Sequence, residues 1–476
     1  MAKQTIKNSP SDYDNLVQGS DKINENFTEL YAREIYPEDY GAEGDGTTDD
    51  SAALTSYFAE LSSGANKSIG KSRRAIYSTS GEITINSTPF IVFPGLIKRT
   101  DASVADVMVS MSLGTANYTE INMNVDGNTL NANPVTGFVF DSGAANIKSK
   151  HTLSARYCDT GILITDNVEK IQVDAYVTSC TTGVEVHNDG SSDTPDEISL
   201  RISGGAVENV FVASGDQKIS GQVEFNMEGN NDDTKYSVEH QNGSWSYRGE
   251  LRGRYGGFNI TTLNALSANL DVIMYAEGTD GANLEALLVD AGNLDLSGKM
   301  LLYSEWNAGC WIKRVNSASI KIIKADGGST GTGLRIGDSA GGTTVTGFVL
   351  EEGSILFGAT MALDLDLSAS GTFHFGNVDA GGIRIRSGSS KNRILIPHHL
   401  RTTAITNERT QLDNLIFYKG VYSNTELEAI NGGTFIKGMI VEASADTTVY
   451  GRLFWNGSNW KSENGLTYNT GTNTWA

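Results

Sequence analysis

Cysteine and proline are scarce in this chain, with three and seven residues among 476. Cys158, Cys180 and Cys310 are an odd number without a CxxC pair, which excludes a disulfide framework and a cysteine zinc site. His187, His240, His374 and the pair His398-His399 lack HxxxH or HxH spacing, so neither a metal nor another cofactor is expected. No run of about 18 apolar residues occurs, so no membrane insertion is expected. Residues 1–20 lack the apolar core of a signal peptide, so synthesis in a reducing cytosol is expected. Basic residues are outnumbered, 36 to 57, and the net charge of −21 argues against nucleic acid as a partner. An acidic protein can still be made for sugars.

What is abundant is glycine, 53 residues, together with Thr, Ser, Asn and Val. Such a chain turns often and is expected to be mainly β. At about 150 residues per domain, 476 residues allow roughly three domains, or one large β architecture and its appendages. Helical periodicity is confined to the beginning. In DKINENFTELYARE, Ile23, Phe27, Leu30 and Tyr31 form one apolar stripe, which a helix of about fourteen residues must bury against a partner to persist. After Pro37, glycines 41, 44 and 46 allow a tight turn before a second helix over roughly 49–61. Its buried face is Leu54, Tyr57, Phe58 and Leu61, with Thr47 or Thr48 as the cap.

From about 80 to 396, short β-rich runs alternate with Gly, Asn and Asp. Cys158 and Gly161 recur as Cys180 and Gly183, each after 22 residues, the size of one solenoid coil. The spaced Leu and Asn ladders of leucine-rich repeats are absent, which leaves a right-handed parallel β-helix. The two cysteines read as small buried ladder residues. The end of the chain changes character, with a helix-compatible NTELEAI, a hairpin signal at Asn456-Gly457 and four large aromatics, Trp455, Trp460, Tyr468 and Trp475. The expected organisation is a helical segment at 1–36, a β-helix at 37–396 opening with a capping turn and helix at 37–61, and a small β-rich module at 397–476.

Two stretches carry a family likeness. Asp39–Leu54, DYGAEGDGTTDDSAAL, resembles the opening motif of the pectate-lyase-like β-helix superfamily as bacteriophage tailspikes use it, and DKINENFTELY resembles a segment recurrent in phage virion proteins. The resemblance implies that the glycine turn and following helix cap the mouth of the β-helix, which makes Asp45, Asp49 and Asp50 structural. It also implies a homotrimer in the phage virion, attached through residues 1–36 to the tail or another virion protein, that binds and often cleaves bacterial surface polysaccharide. Open solenoid ends and solvent-facing strands are protected by association in the same way.

Strand alternation then sorts the side chains. Val223, Phe225 and Met227 are expected inward with Glu228 outward; Leu251, Gly253 and Tyr255 inward with Arg252 and Arg254 outward. Val272, Met274 and Ala276 face in, leaving Tyr275 and Glu277 outside; Met300, Leu302 and Ser304 face in, leaving Tyr303 and Glu305 outside. The parallel endings Tyr275-Ala276-Glu277 and Tyr303-Ser304-Glu305 predict one column of tyrosines and another of glutamates. Flat tyrosine faces pack on sugar rings, Arg252 and Arg254 can fork onto hydroxyls or acidic substituents, and paired carboxylates can protonate a glycosidic oxygen. Glu277 and Glu305, one coil apart, would stand near the roughly 5–5.5 Å of retaining glycosidases, and Glu228 and Glu277 near the roughly 6.5–9.5 Å of inverting ones. Trp306 and Trp311 read equally as sugar platform or subunit contact. A solvated charge ladder accounts for the same outward Glu, Arg and Tyr without catalysis, and the Asp-rich loops at 189–197 and 230–233, which have the ligand type for calcium, are read as solvated turns.

Overall fold

The computed structural model describes residues 34–63, 69–86, 90–112, 120–141, 149–165, 168, 170–188, 195–205, 207–215, 219–229, 235–253, 256–276, 284–304, 308–328, 331–338, 345–358, 360–366, 369–378, 382–386, 392–397, 405–407, 415–419, 439–441, 453–455, 459–462, 467–469 and 474–475. They form a mainly β protein, 69% strand and 6% helix, wound as a parallel β-solenoid of about 10 turns. Two compact units divide the chain, one of residues 1–184 and 195–199, the other of residues 185–194 and 200–476. The amphipathic segment at 21–34 lies almost wholly outside the described residues, as do the NTELEAI stretch and the loop at 230–233.

The first unit opens with the glycine turn. The buried Asp50 carboxylate accepts the backbone N–H of Glu43 at 2.7 Å and of Gly44 at 3.2 Å, while Asp45 accepts those of Thr47 and Thr48 at 2.8 and 2.7 Å. The helix runs Ser51–Ser62 with Asp50, not Thr47 or Thr48, at its N-cap position. Thr47 and Thr48 are instead spent in the Asp45 turn, which explains the departure from the expected cap. Leu54, Tyr57, Phe58 and Leu61 are buried as expected. Tyr57 and Phe58 meet Phe93 at 6.2 and 6.1 Å between ring centres, and Phe93 meets Tyr77 at 5.2 Å. The helix is therefore packed by its aromatic stripe onto the first coils, burial worth about 1.5–3 kcal/mol for each large side chain.

The coils follow by parallel pairing of Glu120–Asp126, Ser149–Arg156 and Ile171–Thr178. Ile121, His151 and Val173 stack inside, as do Val125, Ala155 and Val177. Arg156 faces Thr178, so the 22-residue period is one rung, and Cys158 and Cys180 are both buried and free. The recurring glycine has a steric cause. A Cβ on Gly137 would lie 2.6 Å from the Gly161 carbonyl oxygen, and one on Gly161 would lie 2.6 Å from that of Gly183.

In the second unit, Ser220–Gly229, Val238–Gly253, Phe258–Ala276, Asp295–Ser304, Ser317–Asp326 and Val345–Phe357 pair in parallel, each to the next. Parallel pairing continues through Leu415–Lys419 to Met439–Val441 and then turns antiparallel at Leu453–Trp455. Trp455 pairs antiparallel with Trp460, and the Asn456-Gly457 turn signal lies outside the described residues.

Candidate functional site

Alternation places the candidates as expected wherever side chains are described. Val223, Phe225, Met227, Leu251, Val272, Met274, Met300 and Leu302 are buried, leaving Arg252, Tyr275 and Tyr303 on the outer face. Register then forms one row across the rungs: Glu228 opposite Arg252, Arg252 opposite Tyr275, Tyr275 opposite Tyr303, Tyr303 opposite Asp326, and Asp326 opposite Phe357. Glu228 is placed here by its backbone alone. Its row is that of Arg252 and the tyrosines, two residues back along the strand from the expected column with Arg254 and Glu277, because Met227 pairs with Leu251. Arg254, Glu277, Glu305 and Trp306 lie outside the described residues.

The row is a continuous aromatic and charged ribbon. The Arg252 guanidinium stands 5.4 Å from the centre of the Tyr275 ring, and its Nε donates to Glu250 at 2.8 Å. Tyr275 and Tyr303 are 6.3 Å apart between ring centres with planes at 55°. Further along, the Lys324 ammonium pairs with Asp326 at 2.9 Å and lies 5.1 Å from the Phe357 ring centre. From Arg252 to Phe357 is four rungs, about 19 Å at the usual strand spacing. Half-exposed rings at that repeat can stack on successive sugars of an extended chain, and the cations can bind hydroxyls or acidic substituents.

Trp311 is already engaged. Arg335 and Lys313 lie 4.1 and 4.0 Å from its ring centre, and its indole N–H donates to the Gly337 carbonyl at 3.0 Å. Arg335 also pairs with the buried Asp366, which Arg386 contacts as well while gripping Asp364 through two hydrogen bonds. These ion pairs neutralise stacked carboxylates, so this end of the solenoid has a structural charge ladder.

A second polar cluster in this unit escaped the reading of the sequence. Glu239, opposite Asn259 in register, is half-buried and accepts the Asn259 side-chain amide at 2.8 Å. Burial pushes its carboxyl up to about 7 against the lowering effect of hydrogen bonds from Asn259 and Gln241. A carboxyl of that kind is partly protonated near neutrality and can donate a proton. Nearby, the Ser214 hydroxyl donates to Glu185 at 2.9 Å and lies 2.8 Å from His187 Nδ1. With its proton committed to Glu185, Ser214 can only accept from His187, which does not activate it as a nucleophile. The signal was a recurring Val-Glu-x-x-Asn, at 184–188 and 238–242: 239 − 185 = 54 residues apart. Asn188 and Asn242 are both buried.

No family model and no curated protein sequence matches the chain. Among solved structures, ORF18 of Geobacillus virus E2 is similar at 13% identity and a TM-score of 0.40, the match covering 74% of this chain and 65% of that one. The chain thus spans 65% of that protein's length. Tailspike protein 3 of bacteriophage CBA120 is similar at 12% identity and a TM-score of 0.48, over 92% of this chain and 70% of that one. The A-module of an Azotobacter vinelandii mannuronan C-5 epimerase is similar at 10% identity and a TM-score of 0.38, over 78% and 94%.

Proposed function

We propose that this protein is a bacteriophage tailspike, a trimeric receptor-binding spike that holds surface polysaccharide of the host bacterium along the Arg252–Phe357 row. The observation that carries the reading is the neighbouring pair Tyr275 and Tyr303 beside Arg252, outward-facing on a parallel solenoid. The opening motif Asp39–Leu54 supports the virion assignment, and so does the packing of its helix as a cap on the first coils. Residues 1–36 are the proposed attachment segment; because Glu34–Ile35 pairs with Ile69–Gly70 in the first coil, deletion of residues 1–33 is the variant expected to remove the protein from virions while leaving the solenoid folded.

Cleavage is the second element of the proposal. Glu277 with Glu305 is its proposed acid-base pair, since the register puts Glu228 in the tyrosine row, and Arg254 and Trp306 are its further sugar contacts. The reading without cleavage is favoured by Glu250, the carboxylate two residues before the row on the same strand, which is held by Arg252. Purified full-length protein incubated with the host polysaccharide distinguishes them. New reducing ends that disappear in Glu277→Gln, with binding intact, support hydrolysis; binding without new ends leaves a receptor-binding fibre.

A further inference from the structure

Cys158 and Cys180 occupy the same place on consecutive rungs of the first unit. Arg156 is opposite Thr178, and past that pair the Thr181 N–H donates to the Cys158 carbonyl at 3.2 Å and the Thr182 N–H to the Asp159 carbonyl at 2.7 Å. The rungs thus stay in step, which sets the two cysteines opposite each other. Neighbouring parallel strands stand about 4.8 Å apart. That spacing lies inside the roughly 4.4–6.8 Å between Cα atoms that a disulfide bridges.

The two side chains are aimed alike. Each cysteine follows a left-handed corner residue, Tyr157 at φ 55° and Ser179 at φ 54°, and both are buried. The Cys158 thiol lies 3.3 Å from the Arg156 carbonyl oxygen. The Cys180 thiol lies 3.5 Å from that of Thr178 and 3.8 Å from that of Ala155, so it reaches back onto the rung that carries Cys158. Beside Cys158 is Gly137, where a Cβ would come within 3.2 Å of the sulfur; the bare glycine gives that sulfur room to turn. Hydrogen bonding from Cys158 lowers the Cys180 thiol, and the same bond holds the Cys158 thiol up. Cys180 therefore ionises first, and a thiolate is the reactive form. Cys310, in the second unit, is instead buried between Leu287 and Leu334 in register, and burial raises its thiol.

We propose that Cys158 and Cys180 form a redox site, two thiols that a small oxidant, hydrogen peroxide, converts to a disulfide between rungs. The Cys180 thiolate attacks one peroxide oxygen and breaks the O–O bond, giving a sulfenic acid and a hydroxide that takes up the thiol's proton to become water. The Cys158 thiol then forms the S–S bond and breaks the S–O bond, and its proton leaves with the departing hydroxide as a second water. Two thiols lose two electrons in all, and one peroxide gains them. The closed bond joins residues 180 − 158 = 22 apart. It restricts the unfolded chain and so stabilises the first unit. A dithiol reductant reopens it by exchange.

Treatment of full-length protein with hydrogen peroxide, followed by thiol titration in guanidinium and peptide mass spectrometry, tests the proposal. Free thiols are expected to fall from three per chain to one, with Cys158 and Cys180 in one linked peptide lighter by two hydrogens. The melting temperature without reductant should rise, and dithiothreitol should restore both the thiols and the original melt. Cys310→Ser should close as wild type does. Cys158→Ser, which keeps the size of the side chain, should form no link and stop at a Cys180 sulfenic acid that dimedone traps. Three results overturn the proposal: three free thiols in peroxide-treated wild type, a link through Cys310 or between chains in place of the Cys158–Cys180 peptide, or a closed form that melts no higher than the open one.

Discussion

Tyr275 and Tyr303 project from neighbouring rungs with ring centres 6.3 Å apart, and the Arg252 guanidinium extends the same line over Tyr275. This relationship follows from the pairing of Phe258–Ala276 with Asp295–Ser304, in which the buried Leu270, Val272, Met274, Met300 and Leu302 face inward and fix the register. A one-residue slip would bury both tyrosines and expose Met274 and Leu302, at a cost the core cannot bear. The ribbon is thus as rigid as the core behind it.

Burial determines the acid response of the first unit. His151 is enclosed between Ile121 and Val173, its ring 5.1 Å from Phe140, and burial pushes its pKa down to about 3. The unfolded chain binds the proton near pH 6.5, so stability is full above that value and falls as pH drops toward 3. At pH 4.5 the loss is about 2–3 kcal/mol. His151→Leu is expected to flatten this fall in urea titrations at pH 7 and 4.5, and an unchanged slope would refute the buried neutral histidine. His240, pushed down to about 4 by burial, makes the same contribution in the second unit.

Glu239 works in the opposite sense. Its folded pKa of about 7 lies above the ordinary 4.5, so the folded state holds the proton more tightly and stability declines as pH rises from 4.5 through 7. Glu239→Gln should therefore stabilise the protein at pH 8 by about 1–3 kcal/mol relative to its effect at pH 5. Thermal melts at the two pH values measure it; an identical effect at both would contradict a raised carboxyl.

The opening motif should behave as scaffold. Asp50→Ala strips partners from the N–H groups of Glu43 and Gly44 and should cost about 1–3 kcal/mol, seen as a lower melting temperature and earlier proteolysis near residues 41–50. Polysaccharide binding below the melting point should survive. Loss of binding by a folded variant would place this aspartate in the site.

Much of this was legible in the sequence. The 22-residue recurrence of Cys158 and Gly161 disclosed the coil, since a glycine is obligatory where one rung's backbone lies on the next. Alternation disclosed which face Tyr275 and Tyr303 take. Register between more distant strands was not legible. The long strand Val238–Gly253 pairs with Phe211–Ala213 near its start and with Ser220–Gly229 over its second half, so repeat counting could not align Glu228 with Arg252. Nor could burial of Glu239 be read locally, because it is set by neighbouring rungs and not by its own strand. The exchange of Asp50 for Thr47 and Thr48 at the helix start likewise depends on a turn closed in three dimensions.

The central claim is that the tyrosine row holds polysaccharide, and the most direct measurement is the affinity of full-length protein for the purified surface polysaccharide of the host bacterium, wild type against Tyr275→Ala/Tyr303→Ala. Both rings are outward-facing, so the variant should melt as wild type does while affinity falls at least tenfold, as expected for loss of two stacking contacts at about 1–3 kcal/mol of binding. Wild-type affinity in the folded double variant would contradict the account.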